Sequence, residues 1–161
     1  MTYTDRVSPK QAMAFVAFLV VWLTSAGRIG HCQNLIINNQ KGNQKESVMF
    51  TVSVKNAPNA MQSFGFEVHY DHQILEYTRY ERGKAVEKYK FFDCLQAEPG
   101  VVRCGGFTGS AGKISAGQSG EIVNLYFRKI NCRNTTLSLQ NPVDDLKGWK
   151  AGDGRFTCRR D

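Results

Sequence analysis

Residues 63–70 read Ser-Phe-Gly-Phe-Glu-Val-His-Tyr, and this stretch decides the fold class. Large apolar side chains alternate with small or polar ones, so one set is expected to face a core and the other to face outward. The residues predicted to face inward are Phe64, Phe66, Val68 and Tyr70. A period of two over eight residues is typical of a β-strand with one buried face.

The same period recurs along much of the chain. Residues 47–55 place four apolar side chains on one face, from Val48 to Val54, and smaller or polar ones on the other. Turn signals rich in Gly, Pro or Asn separate such runs about every ten residues, which favours a β-sandwich or barrel. A helical turn is expected only near 85–90. Further strands are predicted at 101–107, 121–130, 135–139 and 154–158.

The N-terminus has the pattern of an export signal. A weakly basic start precedes the apolar run of residues 12–23, which is too short for a stable helix across a bilayer. Thr24 and Ala26 then occupy the −3 and −1 positions of a cleavage site, so a secreted or cell-surface protein is expected. The predicted organisation is a signal peptide at 1–26, a short segment at 27–33, one domain at 34–158 and a tail at 159–161.

Five cysteines in an exported chain predict disulfides. Cys94 and Cys104 flank residues 98–100, Glu-Pro-Gly, which form a natural hairpin tip. Both cysteines are equally far from Pro99, so two antiparallel strands would bring them within bonding reach. The sequence therefore predicts a bond between them.

Cys132 and Cys158 are the next predicted pair, which leaves Cys32 free. A bond between Cys32 and Cys158 stays open as an alternative, because spacing does not determine connectivity. Contact with a membrane would require an uncleaved signal or a lipid on Cys32, and neither is the favoured interpretation.

Charge and motifs argue against two other classes of function. Without residues 1–26, the chain has 19 basic and 13 acidic residues, a net charge of about +6. The basic residues are scattered among acidic ones, which favours a solvated surface over a nucleic-acid site. Phosphate-binding, zinc and Gly-x-Ser-x-Gly spacings do not occur, so no enzyme activity, catalytic residue or cofactor is predicted.

One cluster, Glu67-x-His69-Tyr70-Asp71-His72, could suggest a metal site. Strand alternation sends Glu67 and His69 to one face, whereas Asp71 and His72 begin a turn. A tetrahedral site from this segment alone would need a sharp bend. We therefore expect structural or surface roles for these residues and no metal.

The segment from Phe64 to Tyr77 resembles the strand-and-turn segment of cohesin domains, in which an alternating strand ends in Tyr-Asp before an aliphatic pair and a second strand. Residues 48–58, 119–127 and 152–156 resemble other cohesin strands in the same order. The resemblance covers residues 34–158. It implies an all-β, nine-stranded jelly-roll β-sandwich, related in fold to some carbohydrate-binding modules.

The resemblance also implies a non-catalytic extracellular module that docks a dockerin-type partner in polysaccharide-degrading, cellulosome-type assemblies. Calcium would belong to the partner. Direct binding of polysaccharide is the alternative function, and it would require a row of exposed aromatic rings.

By the same resemblance, the docking face comprises strands at 63–70, 86–93, 101–107 and 121–128. Ser63 and Gly65 would stand where dockerin-binding cohesins commonly carry polar residues such as Asn or Asp. The expected partner-binding residues are Ser63, Gly65, Glu67, His69, Arg103, Asn124 and Tyr126.

Overall fold

A computed structural model describes residues 33–42 and 47–159. These residues form eleven β-strands, with one turn of 3-10 helix between the fifth and the sixth, at Lys84–Val86. The strands are β1 (Leu35–Ile37), β2 (Gln40–Gly42), β3 (Ser47–Val54), β4 (Ser63–His69), β5 (Leu75–Arg82), β6 (Phe91–Glu98), β7 (Val101–Phe107), β8 (Gly120–Lys129), β9 (Thr135–Asp144), β10 (Ala151–Gly152) and β11 (Gly154–Cys158).

The strands form two sheets. The five-stranded sheet has the order β10-β1-β3-β8-β5, and the six-stranded sheet has the order β2-β11-β9-β4-β7-β6. Neighbours are antiparallel except for the pairs β1–β10 and β2–β11, which are parallel. The predicted all-β sandwich is confirmed. The structure has two strands more than the expected nine. Two of its eleven strands, β2 and β10, are very short and lie at the edges of the sheets.

The core lies between the sheets and is built by the inward half of each alternating strand. Phe66 and Val68 of β4 and Phe50 of β3 are almost completely buried, as the sequence pattern predicts. The ring of Tyr70, which follows β4, meets Phe127 of β8 edge-on with centroids 4.9 Å apart, so aromatic packing joins the two sheets. Burial of each such side chain stabilises the fold by about 1.5–3 kcal/mol.

Most predicted strand limits agree with the observed limits to within one residue. The strands at 101–107 and 154–158 match β7 and β11 at both ends, whereas β9 continues past 139 to Asp144. The expected strand at 86–93 begins only at Phe91. Val86 and Tyr89, both buried, are three residues apart, which is the spacing of a helical turn and not of a strand. The Tyr89 hydroxyl donates to the Met61 carbonyl at 2.6 Å.

Both predicted disulfides are present. Cys94 and Cys104 lie directly opposite each other in the β6–β7 hairpin, with Cα atoms 4.1 Å apart. Cys132 bonds Cys158, with Cα atoms 5.3 Å apart, and this bond excludes the alternative between Cys32 and Cys158.

The predicted signal peptide and Cys32 itself lie outside the described residues. Within 33–42 and 47–159, no helix has the length and apolar character that would be needed to cross a membrane.

Candidate docking surface

The structure divides the seven expected partner-binding residues between the two sheets. Asn124 and Tyr126 lie on β8, which pairs with β3 and β5 in the five-stranded sheet. The prediction that all seven share one face is therefore wrong, because the strand at 121–128 is not a neighbour of the strand at 63–70. Five of them lie on β4 and β7 of the six-stranded sheet: Ser63, Gly65, Glu67, His69 and Arg103.

The outer surface of β9, β4, β7 and β6 is here called the apolar face. Six large apolar side chains are exposed among the described residues, and four of them belong to these strands. Phe91 and Phe107 stand opposite each other across β6 and β7, with nearly parallel rings 5.6 Å apart. The four side chains, each about half exposed, are Phe91 (50%), Leu95 (52%), Phe107 (52%) and Val143 (49%).

Two glycines form the centre of the apolar face. Gly65 lies opposite Gly105 on one side and Val143 on the other. A Cβ atom on Gly65 would come within 2.8 Å of Val143 Cγ2, so no side chain fits there while Val143 keeps its place. The polar anchor that is absent at Gly65 is thus replaced by the valine of the neighbouring strand.

Glu67 is the centre of a polar network beside these glycines. Its Oε1 accepts hydrogen bonds from Arg103 Nε and Nη2 at 3.1 and 2.7 Å. Its Oε2 accepts from His69 Nε2 at 2.9 Å and from Asn141 Nδ2 at 2.6 Å. The side chain is only 12% exposed, yet every bond favours the carboxylate.

These bonds lower the pKa of Glu67 to about 2, with the His69 hydrogen bond as the largest cause, followed by those of Arg103 and Asn141. Glu67 is therefore ionised at neutral pH and held in one orientation. The bond from His69 Nε2 requires a proton on that nitrogen. The apolar face therefore contains a carboxylate that is held in place and whose charge is paired with Arg103.

Asn141 is the member of this network that the sequence reasoning missed. It lies in β9 where the pairing with β4 changes register between Gly65 and Glu67, and its φ is 50°. Such a bulge redirects a side chain, in this case toward the Glu67 carboxylate. The only local signal was the Asn141-Pro142 dipeptide, which is typical of a turn.

The cluster that suggested a metal does not converge. Glu67 and His69 bond each other, whereas Asp71 Oδ1 accepts from the Gln73 backbone N–H at 2.9 Å in the following turn. His72 Nε2 lies 2.9 Å from the side-chain nitrogen of Gln73, Nε2. In the described part of the chain, no three His, Cys, Asp or Glu side chains are grouped so that they could hold a metal ion.

The outer surface of the five-stranded sheet is here called the charged face. Tyr126 donates its hydroxyl proton to Glu81 at 2.7 Å, and the Arg79 guanidinium lies 3.7 Å above the Tyr126 ring. Thr51 donates to Asn124 Oδ1 at 2.7 Å. Because Arg79 covers the Tyr126 ring, that ring offers no open platform for a sugar.

Two sheets around one core, with an exposed apolar face on one of them, define a β-sandwich binding module. A family model described as the cohesin domain matches residues 34–141, and the chain belongs to this family. Membership implies a non-catalytic module. No curated protein matches the chain.

Several solved cohesin structures share the fold. A non-cellulosomal cohesin from the archaeon Archaeoglobus fulgidus is 19% identical, with a TM-score of 0.65 over 80% of this chain and 91% of that one. The sixth cohesin of Acetivibrio cellulolyticus scaffoldin B, in complex with a Cel5 dockerin mutant, is 21% identical, with a TM-score of 0.64 over 79% and 99%. The third cohesin of ScaC from the same organism, in complex with a ScaB dockerin, is 14% identical, with a TM-score of 0.67 over 78% and 98%.

Proposed function

We propose that this protein is a docking module that binds a dockerin-type partner through the apolar face, within an extracellular polysaccharide-degrading assembly. The observation that carries the proposal is that four of the six exposed large apolar side chains of the described residues lie on one sheet face, the face that also holds the Glu67 network. Protein interfaces commonly combine an apolar centre with a hydrogen-bonded polar rim. The stacked pair of Phe91 and Phe107 forms an exposed apolar patch, and such patches mark interaction surfaces.

The composition of the apolar face also indicates how a partner would be held. Apolar contact area is supplied by Phe91, Leu95, Phe107 and Val143, and the absence of a side chain at the half-buried Gly105 allows a close approach of the partner. The Glu67 carboxylate already has its hydrogen bonds, so docking over it leaves no unpaired buried charge. We expect the burial of Leu95 and Phe91, which are each about half exposed, to contribute most of the apolar part of the binding energy.

Two further observations support the setting. The two disulfides are typical of proteins that fold in an oxidising compartment, in agreement with the predicted export signal. Two of the similar cohesins were solved in complex with dockerins, which favours a dockerin as the partner here.

The test uses the dockerin modules encoded in the source genome, each purified with calcium and titrated against the protein by calorimetry. Leu95→Asp should weaken binding by about 30-fold, because a charge would be buried against the partner. Met49→Asp is the matched control, because Met49 is an exposed apolar residue on the charged face. It should change the affinity by less than about 3-fold, the effect of a residue outside the interface.

The opposite ranking of the two variants would move the docking surface to the charged face and overturn the proposal. Failure to bind any dockerin, together with retention on insoluble polysaccharide, would establish the alternative function. Failure in both assays would also refute the proposed function.

A further inference from the structure

A groove lined by lysines lies beside one end of the apolar face. Its walls are the segment 84–90, which includes the 3-10 turn, and the loop 108–113. The groove has a volume of about 440 Å³. Its lining residues include Lys84, Lys88 and Lys113.

The two walls of the groove are held together by close contacts. A Cβ atom on Gly112 would lie 3.1 Å from Lys88 Cβ, so the two backbones approach closely there. Thr108 Oγ1 donates to the Lys88 carbonyl at 3.4 Å. Beneath the 84–90 segment, Tyr89 is buried and bonded to the Met61 carbonyl. The lysines therefore project from an anchored backbone.

The charge of the groove is strongly positive. Lys90 lies beside the groove and does not line it, with its Nζ 4.0 Å from where a Cβ atom on Gly109 would be. Glu87 is the single acidic residue in the two walls. Among residues 33–42 and 47–159, none of these four lysines has a carboxylate within 4 Å. Like charges gathered at one concave site raise the local concentration of anionic partners.

Both walls of the groove lead along the chain to the apolar face. Lys90 immediately precedes Phe91, and Phe107 immediately precedes the loop at 108–113. A polypeptide that fills the groove could therefore extend from it to the stacked pair of Phe91 and Phe107. Carboxylates next to apolar anchors are a combination found in polypeptides and not in a uniformly anionic polysaccharide.

We infer that this lysine groove binds an acidic polypeptide segment of the partner that docks on the apolar face. The inference rests on the proposed function, because it takes the occupant of the apolar face to be a protein. Ammonium groups on flexible stems act as point charges and accept carboxylates in many orientations. The groove therefore steers and orients the partner, and the apolar face holds it.

The test measures the groove without any docking partner. Poly-L-glutamate is titrated against the wild type, the double variant Lys88→Glu/Lys113→Glu and the control Lys55→Glu/Lys150→Glu, whose exposed lysines lie outside the groove. Both variants have the same net charge. The groove variant should lose about 10-fold in affinity at low salt and the control less than about 2-fold, as expected of a localised site rather than of net charge.

Equal losses of affinity in the two variants would mean that net charge alone attracts the polymer. This result would refute the inference that the groove is a binding site. Binding of polygalacturonate as tight as that of poly-L-glutamate would reassign the groove to anionic polysaccharide and refute the inference. Binding of poly-L-glutamate is measured without a dockerin, so a failure of the apolar face and a failure of the groove give different results.

Discussion

The two outer faces of this sandwich use the same alternating strands in opposite ways. On the charged face, outward polar side chains find partners across neighbouring strands, as Tyr126 does with Glu81 and Arg79. On the apolar face, the polar partners gather at Glu67, and half-exposed apolar side chains such as Phe91 and Leu95 occupy other positions of the same face. The first face is satisfied by its own chain, whereas the second leaves apolar area for another molecule to cover.

Exposure alone does not identify an interaction surface. Arg79 and Arg128 are exposed, yet both already bond a carboxylate of the same sheet. Exposed ion pairs of this kind contribute little to stability. A partner would have to break these ion pairs before it could bind either arginine. Binding to the exposed apolar side chains breaks no ion pair.

The largest effects are expected from the two disulfides, of which the bond between Cys94 and Cys104 lies under the apolar face. Cys94→Ala/Cys104→Ala should lower the free energy of unfolding by about 3 kcal/mol, because the unfolded chain gains loop entropy. Urea denaturation measures this loss. Hydrogen exchange should show the β6–β7 amides losing protection before those of β3 and β8.

Cys132→Ala/Cys158→Ala is the control for that prediction. Its bond closes a longer loop, 26 residues in sequence separation against 10, and should contribute slightly more stability. It lies away from the apolar face, so only the first variant should also weaken capture of a dockerin. A loss of less than about 1 kcal/mol in either variant would contradict the stabilising role.

A smaller effect is expected from the Glu67 network, and it depends on pH. The pKa of Glu67 is about 2 in the folded protein, against 4.5 for the free group. The carboxylate therefore stabilises the fold above pH 4.5, and this contribution disappears as the pH falls toward 2. Glu67→Gln should be less stable than the wild type at pH 7, and the difference should shrink between pH 4.5 and pH 2. A difference independent of pH would refute this account.

The smallest effect is expected on the charged face. Glu81→Gln removes an exposed carboxylate whose pKa is lowered mainly by Arg79 and then by Tyr126. Solvent screens this group, so the urea midpoint should remain within measurement error at pH 7. A loss as large as that of Glu67→Gln would remove the difference between the two faces.

Much of the fold could be predicted from the sequence because it depends on local patterns. Alternation placed Phe50, Phe66 and Val68 in the core, and the spacing around Pro99 predicted the bond between Cys94 and Cys104. Both signals lie within one strand or one hairpin. The family resemblance then supplied the sandwich that these strands form.

The site was predicted less completely because it depends on which strands become neighbours. Tyr126 has the alternation of an outward residue, but its sheet is decided by pairing with β3, about 75 residues earlier in the chain. Asn141 reaches Glu67 only through a bulge whose positive φ has no unique sequence signal. Contacts formed far apart in sequence are the ones that period and composition do not reveal.

The bond between Cys94 and Cys104 has one more consequence, for the side of the hairpin that a partner meets. The two residues are directly opposed, and both face the core. A slip of one residue would turn one cysteine outward and exchange Phe92 for Phe91 at the surface. The bond could then not form, because the two sulfurs would lie on opposite sides. The disulfide can therefore form in only one register of β6 and β7. In that register, Phe91 and Leu95 face the solvent.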